Sequence, residues 1–382
     1  MNTFGRSSVS DFLADFVVYR NLFPMDQRLP SLADVRERAR VPAGVTPRKS
    51  QPAYARVIVE ILRAARALDG PQSALQRLIY VGDTRMNDGT AFANVARAAG
   101  WPGLAFIASE KGEPAPAEIV EQGEASDPLR TLFIANRWAA ITSFEAFCCA
   151  REFPIDEATA VIVDLDKTAL GARGRNDHVI NHARVDAVRR TVGDLLGDDF
   201  DPRAFQTAYD ALNQSEFHPF TADNQDYLAY ICLILGSGLR QLEPLIARVR
   251  GGEMVSFDQF IGEVDGERNQ LPTSLREIHQ RIFRRVQAGD PTPFKAFRYN
   301  EYHATIERMG CLRDDASVEQ LLAEEIVITQ EVRDAALRWK AQGALLFGLS
   351  DKPDEASIPS DELARQGFLS IHRVETHAVG DA

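Results

Sequence analysis

Long apolar segments are missing from this sequence of 382 residues. Nowhere do about 18 uncharged apolar residues follow one another, the length that a membrane-spanning helix needs. The first residues also lack the apolar stretch that a secretory signal contains. These absences predict a soluble, cytoplasmic protein with no membrane partner.

Cysteine and positive charge are also scarce. The four cysteines form neither the closely spaced pairs of a zinc site nor the dense framework of a small secreted domain. We therefore expect inert thiols in a reducing compartment. With 43 basic and 55 acidic side chains the net charge is −12, which repels a phosphate backbone and disfavours nucleic acid as a partner.

The overall composition is that of an ordinary globular protein. Apolar residues make up 45% of the chain and charged residues 26%, enough for a large buried core. A chain of this length exceeds what one hydrophobic core usually serves, so two structural units are expected.

Three short apolar runs end abruptly in acidic or hydroxyl residues. They cover residues 78–81, 160–163 and 344–349, and a fourth run at 104–108 ends in Ser109. Near-continuous apolar runs are typical of buried parallel strands, whose carboxyl ends meet at one edge of a sheet. Helical periodicity between the runs predicts a doubly wound α/β core.

The stretch 171–340 differs from the rest because its patterns are mostly helical, as at 227–235 and 318–340. We interpret it as a helical insertion. The first 45 residues hold apolar patches that fit either an extra helix on the core or an oligomer contact. The oligomeric state is left open.

The strand ends carry the residues of a phosphoryl-transfer site. Asp164 and Asp166 follow the second run, so one carboxylate can attack phosphorus while the other handles protons. Asp83 and Asp88 follow the first run and offer oxygen ligands of the kind that Mg²⁺ prefers. Ser350, after the third run, suits the remaining phosphate oxygens.

A lysine completes this set. Lys49 precedes an amphipathic helical pattern and brings an ammonium group to the phosphate oxygens. Lys352, two residues after Ser350, is the alternative to it.

These motifs resemble those of the haloacid dehalogenase-like hydrolase superfamily. Asp164, Asp166 and Thr168 match its first motif, Asp-x-Asp-x-Thr, and Ser350 matches the second. Lys49 matches the third, and Asp83 with Asp88, after Gly82, the fourth. The order along this chain is third, fourth, first, second, which implies a circularly permuted version of the Rossmann-like core.

The resemblance implies a magnesium-dependent phosphatase that acts on a small phosphorylated metabolite. Asp164 would be the nucleophile and Asp166 the general acid and base, while Ser350 and Lys49 bind phosphate with support from Thr168. The metal would be held by Asp164, by the backbone carbonyl of Asp166, and by the acidic loop. The carboxyl at 166 favours a phosphatase over a dehalogenase, which needs no acid for its leaving group.

The same resemblance implies a domain order. Residues 1–170 and 341–382 would form the core, and residues 171–340 an inserted helical cap that selects the substrate. Both termini should lie beside the core, and residues 368–374 should form a further core element.

Other interpretations stay open. Asp164 and Asp166 alone would also fit a solvated loop or a helix cap. A second class of function is a non-enzymatic phospho-acceptor or binding module, similar to a response-regulator receiver, and a third is a scaffold that acts through partners. For Arg173 and Arg175, a flexible charged linker is favoured over contact with an anionic substrate.

Overall fold

The protein folds into two compact units. The computed structural model describes residues 1–70, 73–123, 129–222 and 224–381. Residues 1–182 and 305–382 form the first unit, and residues 183–304 form the second. In the described ranges, no helix combines the length and the apolar character needed to cross a membrane.

Ten strands lie in the described residues of the first unit. In chain order they are β1 (Asn2–Ser7), β2 (Val17–Val18), β3 (Arg77–Gly82), β4 (Gly103–Ala108), β5 (Glu118–Gln122), β6 (Arg130–Ala135), β7 (Thr159–Asp164), β8 (Ile328–Thr329), β9 (Leu345–Leu349) and β10 (Thr376–Gly380).

The main sheet has seven strands in the order β2-β9-β7-β3-β4-β6-β5. All neighbours are parallel except β5, which pairs antiparallel with β6. A smaller sheet has the order β1-β10-β8. The α/β class and the four strands expected from the apolar runs are confirmed.

Sixteen α-helices lie in the described ranges. They are α1 (Ser10–Leu13), α2 (Leu32–Val35), α3 (Pro52–Asp69), α4 (Asn87–Ala99), α5 (Ile141–Ala150), α6 (Asp177–Leu196), α7 (Pro202–Leu212), α8 (His218–Thr221), α9 (Gln225–Gly236), α10 (Leu242–Arg250), α11 (Phe257–Gly266), α12 (Thr273–Gln287), α13 (Lys295–Ile306), α14 (Val318–Glu324), α15 (Gln330–Ala341) and α16 (Asp361–Arg365).

The side chains of a strand alternate between the two faces of a sheet, so each face of a buried sheet has to be covered. Helices cover both faces of the main sheet. Tyr80 and Ile162 belong to the same buried apolar cluster as residues of α3 and α4. Phe106, on the other face, packs against Phe144 of α5 at 5.7 Å between ring centroids. Phe144 in turn contacts Trp339 of α15.

Local sequence explains where the helices that flank the site begin and end. Pro52 opens α3, where its missing N–H is not needed and its fixed φ suits the first turn. Gly70 ends the same helix with φ of +103°, a left-handed conformation that suits glycine. Gly100 ends α4 in the same way.

The second unit is helical and has a hydrophobic core of its own, drawn from α6 to α13. A buried ion pair joins Arg298 to Asp226 at 2.5 Å, and Arg298 also contacts Glu301 at 2.5 Å. By contrast, residues 305–340, which the sequence patterns predict to be part of the insertion, belong to the first unit. They include α14, β8 and α15.

Two expectations about the chain ends had different outcomes. The expected core element at 368–374 is wrong in position: Phe368 and Leu369 are exposed, and only a short 3-10 turn follows at Ile371–Arg373. The last strand of the chain is instead β10, whose backbone forms hydrogen bonds with β1 and β8. Both termini do lie in the first unit. The apolar patches near the N-terminus, such as Phe12 and Val17, are buried there.

Candidate functional site

The candidate site lies at the carboxyl edge of the main sheet. There β7 lies between β3 and β9, and all three strands are parallel. Leu349 of β9 pairs with Asp164, the last residue of β7, and the following residue is Ser350. On the other side β3 ends at Gly82 and delivers Asp83 to the same edge.

Three aspartates meet at this edge. One carboxylate oxygen from each of Asp83, Asp88 and Asp164 lies within 4.8 Å of the others, and all three residues are buried. Carboxylate oxygens at this spacing are the ligands that hard divalent cations such as Mg²⁺ take. This acidic group could therefore hold a metal ion.

Lys49 lies inside the group. Its Nζ is 2.7 Å from Oδ1 of Asp88 and 2.5 Å from Oδ1 of Asp164, and the side chain is buried. Burial alone lowers the pKa of Lys49, but the two carboxylates raise it well above its usual range. The ammonium group is therefore charged at neutral pH and offsets part of the negative charge of the aspartates.

Of the three aspartates, Asp88 accepts the most hydrogen bonds from the described residues. Its Oδ1 accepts from Lys49 and from the Tyr80 hydroxyl at 3.2 Å. Its Oδ2 accepts from the backbone N–H of Asp83 at 3.0 Å, and from the N–H and hydroxyl of Thr84 at 2.9 and 3.0 Å. Burial by itself raises the pKa of Asp88, but Lys49 and these hydrogen bonds hold it well below its usual range.

Gly82 makes this arrangement possible. A Cβ at this position would lie 2.6 Å from both Cβ and Cγ of Asp88, far inside van der Waals contact. The glycine before Asp83 therefore allows the first turn of α4 to approach the end of β3.

Asp164 is held by both of its oxygens. Oδ1 contacts Lys49, and Oδ2 accepts from the Thr168 hydroxyl at 2.9 Å. Burial raises the pKa of Asp164 to about 7, although the Lys49 ammonium acts in the opposite direction. The side chain is thus oriented by the protein before any ligand binds.

Asp83 carries a different partner. The Nε of Arg173 donates to its Oδ2, and this is an ion pair. Burial and the charges of Asp164 and Asp88 raise the pKa of Asp83 to about 9, against the opposing effect of Arg173. Of the three aspartates, Asp83 therefore has the largest rise in pKa.

The other predicted residues lie around this group. The Asp166 carboxylate is not part of the acidic group that the described residues form, and about a quarter of its side chain (27%) is exposed. Lys167 has φ of +66°, so the chain turns directly after Asp166. The Nζ of Lys352 lies 3.9 Å from Oδ1 of Asp166 and 3.3 Å from the Thr305 hydroxyl.

Ser350 is fully buried at the end of β9. Its N–H donates to the carbonyl of Val18 at 3.0 Å, and its hydroxyl accepts from the N–H of Lys352 at 3.1 Å. The two candidate lysines thus differ: Lys49 contacts Asp164, and Lys352 lies beside Asp166.

The sequence did not indicate Tyr80 or Thr84 as site residues, and for Arg173 it favoured a linker. Tyr80 lies within an apolar strand and gave no signal. Thr84 precedes α4 by three residues, a position where a hydroxyl often bonds the backbone, and this was the available hint. Arg173 lies between Gly171 and Gly174, both with positive φ, which marks an unusual backbone.

Comparisons with protein-family models, with curated proteins and with solved structures find no match to this chain. No family is assigned on that basis. The chain is a mixed α/β protein with a mostly parallel seven-stranded sheet and a buried group of three aspartates that could hold a metal ion.

Proposed function

We propose that this chain is a magnesium-dependent phosphohydrolase, similar to the haloacid dehalogenase-like hydrolases with a permuted motif order, and that Asp164 is its nucleophile. The observation that carries the proposal is the meeting of Lys49, Asp83, Asp88 and Asp164. These residues come from three separate segments, and each segment matches a different motif of that superfamily.

The first step is attack by Asp164 on phosphorus. One carboxylate oxygen forms a bond to phosphorus while the bond to the leaving oxygen breaks, and Asp166 donates its proton to that oxygen. Thr168 and Lys49 hold Asp164 so that little reorientation is needed. In the second step Asp166 takes a proton from water, which attacks phosphorus and releases Asp164 and inorganic phosphate.

The acidic group fits a magnesium ion. Asp164 and Asp83 retain lone pairs that no described protein donor uses, whereas five donors surround the two oxygens of Asp88. We therefore assign Asp164 and Asp83, with the backbone carbonyl of Asp166, as ligands and Asp88 as their support. A bound magnesium ion would neutralise charge between carboxylate and phosphate.

Three further assignments belong to the same proposal. Ser350 and Lys49 would bind the phosphate oxygens, with Lys49 favoured over Lys352 because it contacts Asp164. The helical insertion would be the cap that selects a small phosphorylated metabolite. The site lies on strand ends whose convergence does not depend on where the termini fall.

Phosphate release from an aryl phosphate, with and without Mg²⁺, tests the proposal. We expect turnover that depends on Mg²⁺ and falls by at least about 10³-fold in Asp164→Asn, because the nucleophile is lost. Asp361→Asn is the matched control, since Asp361 is an exposed carboxylate on α16 and should leave the rate unchanged. Full activity in Asp164→Asn would disprove the nucleophile assignment.

The same assay separates the alternative function. A phospho-acceptor module would take up one phosphoryl group and stop, whereas a hydrolase continues to release phosphate in the steady state. A single burst without turnover would favour the acceptor.

A further inference from the structure

The segment that follows the nucleophile strand is rigidly anchored and is not a loose linker. The guanidinium of Arg175 is buried and contacts Glu110 at 2.6 Å and Glu331 at 2.8 Å. The Asn176 amide donates to the carbonyls of Leu322 and Glu325 at 2.7 and 2.9 Å. These bonds fix the segment within the first unit.

The backbone of Arg173 is fixed as well. Its N–H donates to the carbonyl of Lys167 at 2.8 Å, and its carbonyl accepts from the N–H of Glu110 at 3.0 Å and from the Trp138 indole at 3.2 Å. At the next residue, a Cβ on Gly174 would lie 1.9 Å from the Glu110 carbonyl oxygen. Only glycine permits this close approach, so the position of Arg173 is imposed by its surroundings.

The side chain of Arg173 is presented to the acidic group. Its Nε donates to Asp83, and about a third of the side chain (34%) is exposed to solvent. A guanidinium has five N–H bonds, so four remain on the two Nη groups beyond the one that Asp83 takes. Those groups can hold a planar anionic oxygen pair in a bidentate manner.

Arg173 differs in this respect from its neighbour. The guanidinium of Arg175 lies between two glutamates and is buried, so a ligand cannot reach it without breaking two ion pairs. Among the described residues Arg173 forms one ion pair, with Asp83, and about a third of its side chain is open to solvent. The notion of a flexible linker is thus wrong for both arginines, and the two have separate tasks.

We propose that Arg173 binds the phosphoryl oxygens of the substrate through its Nη groups while Nε stays on Asp83. This inference rests on the proposed phosphohydrolase function and adds a catalytic residue to it. With all three aspartates ionised, Lys49 and a bound Mg²⁺ would together only balance their three negative charges and leave no net positive charge for a phosphate dianion. A second fixed cation at its rim favours substrate and transition state alike.

The test compares Arg173→Ala, Arg173→Lys and Arg85→Ala. Arg85 is the matched control because it lies in the acidic loop but points to the exposed Glu118, 3.5 Å away. Binding of inorganic phosphate is measured by calorimetry at saturating Mg²⁺, and Mg²⁺ binding is measured alone. Circular dichroism establishes that each variant is folded.

We expect phosphate affinity to fall roughly 10- to 100-fold in Arg173→Ala, as for the loss of hydrogen bonds to a charged group. Arg173→Lys should recover part of the phosphate affinity, because lysine restores the positive charge but not the paired N–H groups of the guanidinium. Arg85→Ala should match the wild type. KM for the aryl phosphate should rise in parallel.

Unchanged phosphate affinity in Arg173→Ala would overturn the inference. If Mg²⁺ affinity fell in the same variant, Arg173 would act only by holding Asp83. If the wild type binds phosphate through Arg173 but does not hydrolyse the aryl phosphate, the inference stands and the proposed function fails.

Discussion

Asp83 and Asp88 lie five residues apart, one just after β3 and the other in the first turn of α4, yet their surroundings suit them to different tasks. Asp88 accepts hydrogen bonds from five donors and pairs with buried Lys49. Asp83 is bonded through one oxygen to Arg173 and is crowded by two other carboxylates. The first arrangement stabilises the fold, and the second leaves Asp83 available as the proposed metal ligand, at a cost in stability.

Asparagine substitutions should separate these tasks. Asp88→Asn breaks a buried ion pair and turns an amide N–H toward backbone donors, so we expect a loss of about 3–5 kcal/mol in the free energy of unfolding. Asp83→Asn should leave the fold intact but weaken Mg²⁺ binding by about tenfold or more. Urea unfolding and calorimetric titration measure the two effects, and equal destabilisation by both substitutions would contradict this assignment.

The pKa of Asp83 makes a prediction about pH. Its folded value, about 9, exceeds the ordinary 3.8, so between these values the folded state binds more protons than the unfolded state. Stability of the metal-free protein should therefore fall as pH rises through this range. Asp164, with a pKa of about 7, contributes only to the lower part. The lowered pKa of Asp88 matters only at acidic pH.

Thermal unfolding in the presence of a chelator, from pH 5 to pH 9, measures this dependence. In Asp83→Asn the decline above about pH 7 should flatten, because the remaining raised carboxyl has already ionised there. Parallel curves for wild type and variant would refute the attribution to Asp83.

Sequence could indicate Lys49, Asp83 and Asp164 because their types and their places beside strands and helices are local features. It could not separate Asp83 from Asp88, because that difference depends on donors supplied by Tyr80 and the folded loop. The roles of these residues in catalysis stay predictions.

At the scale of elements, the turn from β3 into α4 depends on the absence of a side chain at Gly82. A Cβ there would collide with Asp88, so Gly82→Ala should displace the first turn of α4 and with it the acidic group. We expect loss of Mg²⁺ binding together with lower stability.

Gly89 provides the control for that substitution. Gly89 lies in α4, and a Cβ there would lie 3.5 Å from the Leu132 side chain, an ordinary van der Waals distance. Gly89→Ala should therefore preserve Mg²⁺ binding and stabilise the helix by up to about 1 kcal/mol. If both variants bind Mg²⁺ equally well, as judged by calorimetry, the steric argument at Gly82 is wrong.

Elements differed in how well sequence predicted them. β3, β4, β7 and β9 are buried on both faces, so their near-continuous apolar runs were readable. β8 has two residues, and β1 is largely exposed, so neither leaves a pattern. Both depend on partners far away in the chain, which a local pattern does not contain.

For the whole molecule, the two chain ends are neighbours. Asn2 of β1 pairs with Gly380 of β10, and the amino group of Met1 lies 3.3 Å from Asp381. The loop between α5 and β7, at residues 151–158, follows the elements that carry Asp83 and Asp88 and directly precedes the strand that ends in Asp164. These two facts make the proposed permutation of the motif order open to a direct test.

A variant can restore the usual motif order by joining residue 381 to residue 1 through a flexible linker and starting the chain at residue 153. Because the strand ends converge regardless of where the chain is cut, it should keep the far-UV spectrum and hydrolyse the aryl phosphate within about tenfold of the original rate. The control carries the same linker but is cut between Arg85 and Met86, before α4, which separates Asp88 from β3 and should abolish activity. If the variant that starts at residue 153 is as inactive as this control, the chain order itself is needed for folding, and the permutation is more than a relocation of the termini.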